Sequence, residues 1–310
     1  MPPEGLSFAY SPQLCYFRPT ACGPLRSRYL YYWFKSTEFW NQADALKGQT
    51  DMADYLSLSD IQALQIRIPS LDRQDGTIEV LGSLDDKITV NDQIARSCDQ
   101  LRSVRFEYWV QSNLESTEDR PLSSMGEFVN GRAFTKDASG SGRMVIRIAE
   151  INSGPSPSTV YNNIEVSDVH IARPGDILFA WSGSLAVARW ARAEGIINQH
   201  IFKVIPCDGM PAWLIFELIN SKLAMFKGIA ADKATTMGHI QRHHLDEPVQ
   251  VPTQERISEL DAALGPLWDR ALAADQESLK LAELRDALLP KLMSGEIRVR
   301  DAEKVVEDVT

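Results

Sequence analysis

Ile257-Ser258-Glu259-Leu260-Asp261-Ala262-Ala263-Leu264-Gly265-Pro266-Leu267 opens a run that continues through Ala271, Ala274, Ser278, Leu281, Arg285, Leu288 and Leu292. The positions Ile257, Leu260, Leu264 and Leu267 and those that follow step by threes and fours. Nine of the eleven are apolar or alanine, the spacing that a coiled-coil seam requires. Glu259, Asp269, Glu277, Lys280 and Glu283 flank the seam with charge. Gly265-Pro266 is expected to kink the helix near its start. Pro290 lies close to its end, and Ser294-Gly295 stops it. A helix from Gln254 to Met293 is about 60 Å long at about 1.5 Å per residue.

A seam of this length needs something to close it. A second stretch, about Asp75 to Asn113, places Ile78, Leu81, Leu84, Ile88, Asn91, Ala95, Cys98, Leu101 and Tyr108 roughly on one face. Asn91 puts an amide on that seam, a device that fixes register at some cost in stability. Neither helix contains its own partner, so the economical expectation is an antiparallel pair. Residues 121–255, between the two, have a different texture. Glycine and proline are dense, and short β-type runs recur at Met144–Ile148, Ile171–Trp181 and Ile201–Ile205. Pro174-Gly175-Asp176 is a turn feeding Ile177-Leu178-Phe179, and Ala212 to Met225 reads as a helix. The fold class is α+β, with globular domains alternating with two long helices.

The chain also resembles itself at a lag of about 180–190 residues. Glu4-Gly5-Leu6 is similar to Glu194-Gly195-Ile196, and Phe17-Arg18-Pro19 falls where Val204-Ile205-Pro206 falls. Tyr29-Leu30-Tyr31-Tyr32-Trp33-Phe34-Lys35-Ser36 parallels the stretch from Trp213 to Ser221, and Leu46-Lys47-Gly48 parallels Phe226-Lys227-Gly228. Each copy then reaches a β run ending in proline, Ile66-Arg67-Ile68-Pro69 and Val249-Gln250-Val251-Pro252. Gln74 or Gln254 follows, and then a long helix. The first copy begins at the equivalent of about Glu194, so the expectation is an incomplete domain over 1–70 with no counterpart of 121–193. A first helix over 71–120, a complete domain over 121–255 and a second helix over 256–310 complete the organisation.

Composition narrows the function. With 44% apolar and 24% charged residues among 310, the chain can bury real cores. Its apolar runs are too short and too interrupted for a membrane span. Met1-Pro2-Pro3-Glu4-Gly5 has no signal-peptide character. Cys15, Cys22, Cys98 and Cys207 are too few and scattered for a disulfide framework or zinc site, so a reducing cytoplasm is expected. The net charge of −10 is uneven: residues 71–120 hold 6 Lys/Arg against 11 Asp/Glu, and 256–310 hold 8 against 12. These two segments carry −5 and −4, which leaves −1 for the rest, and a local basic face remains open to it.

No catalytic constellation is found. Gly140-Ser141-Gly142-Arg143 lacks the Gly-Lys-Ser/Thr ending of a phosphate loop. The glycine motif of methyl-donor binding and the Asn/Asp-Pro-Pro-aromatic motif of amino-methyltransferases are absent as well. His239, His243 and His244 have no patterned fourth ligand, so no metal is expected. Asp85 and Asp86 point about 100° apart on a helix, which suits a solvated face or a partner contact.

Four segments carry a family likeness. Leu281-Ala282-Glu283-Leu284-Arg285-Asp286-Ala287-Leu288-Leu289-Pro290-Lys291-Leu292-Met293-Ser294-Gly295-Glu296-Ile297 resembles the C-terminal signature of the DNA-specificity (S) subunit of type I restriction-modification systems. Ser83-Leu84-Asp85-Asp86-Lys87-Ile88-Thr89-Val90-Asn91 is similar to the start of that family's central spacer. Pro174-Gly175-Asp176-Ile177-Leu178-Phe179 and Asn198-Gln199-His200-Ile201-Phe202 are similar to patterns of its target-recognition domains. One departure is Leu71-Asp72-Arg73-Gln74, where the family commonly has a Pro-rich, Glu-Gln turn.

The resemblance implies a non-catalytic, sequence-specific subunit of a host-defence system. Its recognition domains would read two DNA half-sites, and its antiparallel coiled coil would set the gap between them. The coil would also dock the methyltransferase (modification) subunits, and the complex would recruit the restriction subunit. No cofactor is expected on this chain; S-adenosylmethionine, ATP and Mg belong to the partner subunits. On residues 121–255 the candidates for contact with double-stranded DNA are Asn130, Arg132, Lys136 and Arg143, then Ser182, Gly183, Ser184 and Arg189 with Arg192 nearby, then Lys227, Lys233, Thr235, Thr236 and His239. Arg and Lys neutralise phosphates, and Asn, Arg and His bond base edges. The expected coil or partner seam is Ile78, Leu81, Leu84, Ile88, Asn91 and Leu101 with Ile257, Leu260, Leu264, Leu267, Leu281, Leu288 and Leu292. Alternative readings are a half-subunit that self-associates to read a symmetric target, and a scaffold or gene fragment that keeps only helical pairing.

Overall fold

The computed structural model describes residues 14–20, 22–49, 54–232 and 238–308. The repeat partner Glu4-Gly5-Leu6 and the candidates Lys233, Thr235 and Thr236 lie outside the described residues. The chain divides into two compact units: a smaller one built from the described residues up to Ile88 and those from Lys280 on, and a larger one from Thr89 to Leu279.

The smaller unit is helical. It holds α1 (Ser27–Phe34), α2 (Thr37–Leu46), the short pair β1 (Gly48–Gln49) and β2 (Asp54–Tyr55), α3 (Leu58–Ala63), the first part of α4 (Leu71–Ser112), the last part of α7 (Gln254–Ser294) and α8 (Val299–Glu307). Its core joins Tyr32 and Trp33 of α1 to Leu81 and Leu84 of α4 and to Leu281 and Leu292 of α7. Each leucine buried in this way contributes about 1.5–3 kcal/mol. Arg73 donates to the carbonyl of Leu292, and Arg285 pairs with Asp85 at 2.8 Å, so the two helical segments run antiparallel here. Asp85 also accepts from the Tyr32 hydroxyl at 2.9 Å. Burial pushes that phenol well above its ordinary range, with Asp85 adding to the effect. Gln74 is fully buried; it accepts from Arg26 N–H and donates to the carbonyls of Pro24 and Pro69. That bonding ties the start of α4 to the segment leading into α1.

Ile66-Arg67-Ile68-Pro69, expected as a β run, is not a strand. Its counterpart β12 (Pro248–Pro252) is one because β3 (Thr117–Pro121) supplies a ladder from Pro248↔Pro121 to Pro252↔Thr117. Among the described residues of the smaller unit no strand pairs with this segment, and β propensity without a ladder partner does not make a strand.

The larger unit stacks three layers. One sheet has the order β4-β11-β8-β9, from β4 (Gly126–Asn130), β8 (Ile177–Ala180), β9 (Ala186–Arg189) and β11 (Ile201–Pro206). A second has the order β6-β5-β10-β7, from β5 (Arg143–Ile146), β6 (Tyr161–Asn162), β7 (Ile171–Ala172) and β10 (Gly195–Ile197), with α5 (Ile148–Ser153) beside it. Helix α6 (Ala212–Asp232) covers the first sheet. β8 explains the layering. Ile177 and Phe179 face the α6 core, Leu178 faces the core shared with the second sheet, and all are buried. A run apolar at every position is what a strand covered on both faces needs. The β-type run Ile171–Trp181 forms two strands, β7 and β8, on either side of the expected Pro174-Gly175-Asp176 turn. The Arg173–Asp176 turn, with Gly175 at φ +94°, breaks it and carries the chain from one sheet to the other.

In the larger unit the long helices are again antiparallel. Ala95 packs on Ala271 and Ala274, small residues that let the backbones approach. Asn91, 1% exposed, donates to Glu277 at 2.9 Å, and Ser278 bonds Asp92. Ile257, Leu260 and Leu264 are buried in the α6 core with Leu267 packed against it, and α7 runs on through Gly265-Pro266. One residue of the expected coil or partner seam, Leu101, does not lie between the two helices. Leu101 is 41% exposed, and Arg102 with Phe106 takes the inward face instead. The cause is a partner distant in sequence: Arg102, 1% exposed, bonds Glu217 of α6 at 2.9 Å and Asp99 at 2.6 Å.

Asp99 also receives Arg189 of β9, which reaches Asp275 of α7 as well. The guanidinium carbons of Arg102 and Arg189 lie 5.0 and 4.7 Å from the ring centroid of Trp268. Burial pushes the Glu217 and Asp275 carboxyls up against the pull of their arginines. Glu217→Ala would leave buried Arg102 with Asp99 as its one remaining carboxylate, and the expected cost is about 3 kcal/mol in denaturant unfolding. Glu217→Leu combined with Arg102→Met should recover most of that loss; a double variant as unstable as the single one would contradict the account.

Candidate nucleic-acid interface

Three loops from separate parts of the larger unit meet on Trp181, the residue after β8. The first follows β4: Asn130 Oδ1 accepts from Trp181 Nε1 at 2.9 Å. The second is Asn198-Gln199-His200, between β10 and β11. Trp181 N–H donates to the His200 carbonyl at 3.1 Å, and the two rings lie 5.3 Å apart. The third is Gly238–Ile240, where Ile240 N–H donates to the Trp181 carbonyl at 3.1 Å and the His239 ring stands edge-on to the indole at 6.3 Å. Ser182 and His239 form an isolated bridge beside it.

The loops also hold one another. Arg132 bridges Asn198, and its carbonyl accepts from Gln199 N–H at 3.0 Å. Gly131 makes that approach feasible: a Cβ there would sit 2.0 Å from the Asn198 carbonyl oxygen. His200 adopts φ +81°, a left-handed conformation rare for a residue with a side chain. Beneath the Asn130–Arg132 loop, His170 is buried and hydrogen-bonds the Asn130 backbone. Burial, then the positive charge of Arg132, lowers its imidazole pKa.

Of the candidates, Asn130, Arg132, Ser182 and His239 are therefore brought together. Gly183 and Ser184 are exposed on the turn that follows, while Ser182 is buried. Lys136 and Lys227 are exposed and stand outside this hydrogen-bonded cluster. Arg143 belongs to the second sheet, where it pairs with Glu194 at 3.3 Å. Arg192 lies against Gly154. Arg189 is a correction: its side chain is 5% exposed and committed to Asp99 and Asp275, so it has no free face for a phosphate. Trp181, His200 and His170 join the cluster without standing out in the sequence as contacts. The signal that could have found them is the polar triplet Asn198-Gln199-His200 interrupting two apolar runs, with an aromatic closing a third.

A groove of about 750 Å³ elsewhere in the unit, between α4, α6 and the β3–β12 ribbon, is lined by Glu107, Asp119 and Glu217 among others. Among the described residues no group of three or more His, Cys, Asp or Glu is arranged to hold a metal, and no helix is long and apolar enough to cross a membrane.

No protein-family model matches the chain, and no curated protein does. Among solved structures it is similar to the S subunit of a type I restriction-modification system from M. genitalium, at 15% identity and TM-score 0.49, covering 87% of this chain and 73% of that one. It is also similar to the HsdS subunit from Thermoanaerobacter tengcongensis, at 15% identity and TM-score 0.38, covering 87% and 70%. A third, described as the structural basis of complex assembly and conformational transition of the type I R-M system, has 16% identity and TM-score 0.36, covering 87% and 71%.

The His170 arrangement has a sign that can be measured. Above the ordinary imidazole value of 6.5 both folded and unfolded chains hold it neutral, and its contribution to stability is complete. As pH falls through that value the unfolded chain takes up a proton that the folded site resists, and stability is lost. The melting temperature is expected to drop from about pH 7 to about pH 5, less steeply in His170→Gln. Identical profiles for the two would remove His170 as a source of the slope.

Proposed function

We propose that this chain is the DNA-reading specificity subunit of a type I restriction-modification complex and performs no chemistry itself. The observation that carries the reading is the pairing of two long helices. The segments that resemble the family's spacer and C-terminal signature, Ser83–Asn91 and Leu281–Ile297, lie on those helices or continue directly from them. In this reading the domain within 121–255 reads one half-site through the loops around Trp181. The helix pair sets the distance to a second half-site, for which residues 1–70 supply part of a domain. Methyltransferase subunits dock on the helices and bring S-adenosylmethionine; the restriction subunit brings ATP and Mg.

A docking face of the right kind is available on α4. Leu101, Val104 and Tyr108, spaced by three and four, are 41%, 63% and 71% exposed, and Val90 continues the row. An apolar row at helical spacing on the outside of a helix is suited to another helix. The same row is what favours self-association as a second reading.

Leu101→Asp with Val104→Asp is expected to abolish copurification of the full chain with its co-expressed methyltransferase subunit. Thermal stability and affinity for a randomised duplex pool should be unchanged, because neither residue is part of a core. Undiminished copurification would count against this face, and failure of the unaltered chain to copurify would count against the function. A concentration-dependent dimer in sedimentation, lost in the same variant, would favour the second reading.

A further inference from the structure

We infer that the Trp181–Asn130 hydrogen bond fixes the Asn130 amide as a donor toward DNA, making this position a reader of guanine. The inference rests on the DNA-reading function proposed above and names the base edge that this part of the site takes.

An indole nitrogen can only donate. The 2.9 Å bond from Trp181 Nε1 therefore assigns Oδ1 as the acceptor and decides which way the amide faces. Trp181 is not free to swing away. Its N–H is held by His200, its carbonyl by Ile240, and its ring packs on His200, Phe202 and His239. Asn130 itself is exposed at the end of β4. With Oδ1 turned toward the indole, the Nδ2 group and its two hydrogens are what the side chain offers to a ligand.

The consequence follows from the edges of the bases. A free asparagine amide pairs with adenine in two directions at once, accepting from N6 and donating to N7. Engaging the oxygen weakens that pairing. Guanine presents two acceptors, N7 and O6, to the major groove, and an NH2 group with two hydrogens matches them. Arg132, two residues on and also exposed, adds donors and positive charge beside the same loop. The sequence alone suggests only a polar loop residue; the preference comes from a bond to a residue 51 positions away.

The test selects duplexes from a randomised pool with the full chain, then measures affinity for the selected duplex and its single-base variants. The unaltered chain is expected to show one guanine whose replacement by adenine weakens binding about tenfold. Asn130→Ala, a change at an exposed position that needs no repacking, should abolish that discrimination. Trp181→Phe keeps a ring and removes the donor, so adenine should rise to within about threefold of guanine. Should that variant fail to fold, Asn130→Asp serves in its place: a carboxylate only accepts, so preference should move to cytosine and its N4 donor. Guanine discrimination that survives Asn130→Ala overturns the inference, as does a Trp181→Phe profile identical to the unaltered one. In both cases sequence-selective binding, and with it the function, still stands; absence of any selected sequence overturns the function itself.

Discussion

Two arginines laid against one tryptophan fix how the elements of the larger unit's core sit together. Arg102 comes from α4, Arg189 from β9 and Trp268 from α7, while Glu217 of α6 and the carboxylates Asp99 and Asp275 complete the set. Taking such charges out of water costs several kcal/mol per ion, and their mutual attraction offsets this only when every partner is in place. The network is therefore a modest source of net stability and a severe penalty on misplacement. Both long helices, the helix over the sheet and the edge strand of that sheet must take one relative position to satisfy it.

The helix pair is specified by a different device in each unit. In the larger one, alanines bring the backbones close, and the Asn91–Glu277 bond sets the register. A one-residue slip there would bury an unpaired amide. In the smaller one, leucines supply the burial, and Asp85 is shared between Tyr32 and Arg285. Polar pins on an apolar seam discriminate against alternatives that leucine packing alone would tolerate.

The seam of α7 was legible in the sequence because its spacing is regular and nearly every position on it is apolar. Asn91 was legible for the opposite reason, as a lone amide where an apolar residue was due. The far end of α4 was not. Leu101 and Tyr108 fit an apolar pattern, yet Arg102 turns inward because Glu217, 115 residues away, waits for it. Periodicity carries no information about such a pair. The same network removes Arg189 from the set of free cations, although its loop-side position suggested a phosphate contact. Ile66–Pro69 shows a third limit, since β propensity makes a strand only where a neighbouring strand completes the ladder. At the site, Asn130, Arg132 and His239 could be named from polarity and position. Their convergence on Trp181 could not, because the tryptophan reads as the last residue of an apolar strand.

The proposed reading of DNA is compatible with a net charge of −10 because of where the charges sit. Much of the acid is spent internally or on the helices: Asp99, Asp275 and Glu217 neutralise buried arginines, and Glu107 and Asp119 line a groove away from the loops. The Asn130–Arg132 loop instead keeps Arg132 exposed above a histidine whose own charge is suppressed by burial and by that arginine. An exposed guanidinium beside a neutral imidazole favours phosphate locally even on a chain of net negative charge. Recognition loops on a stiff frame also lose little entropy on binding. If Asn130 reads a base as inferred, it does so through an amide whose direction the bond from Trp181 has already set.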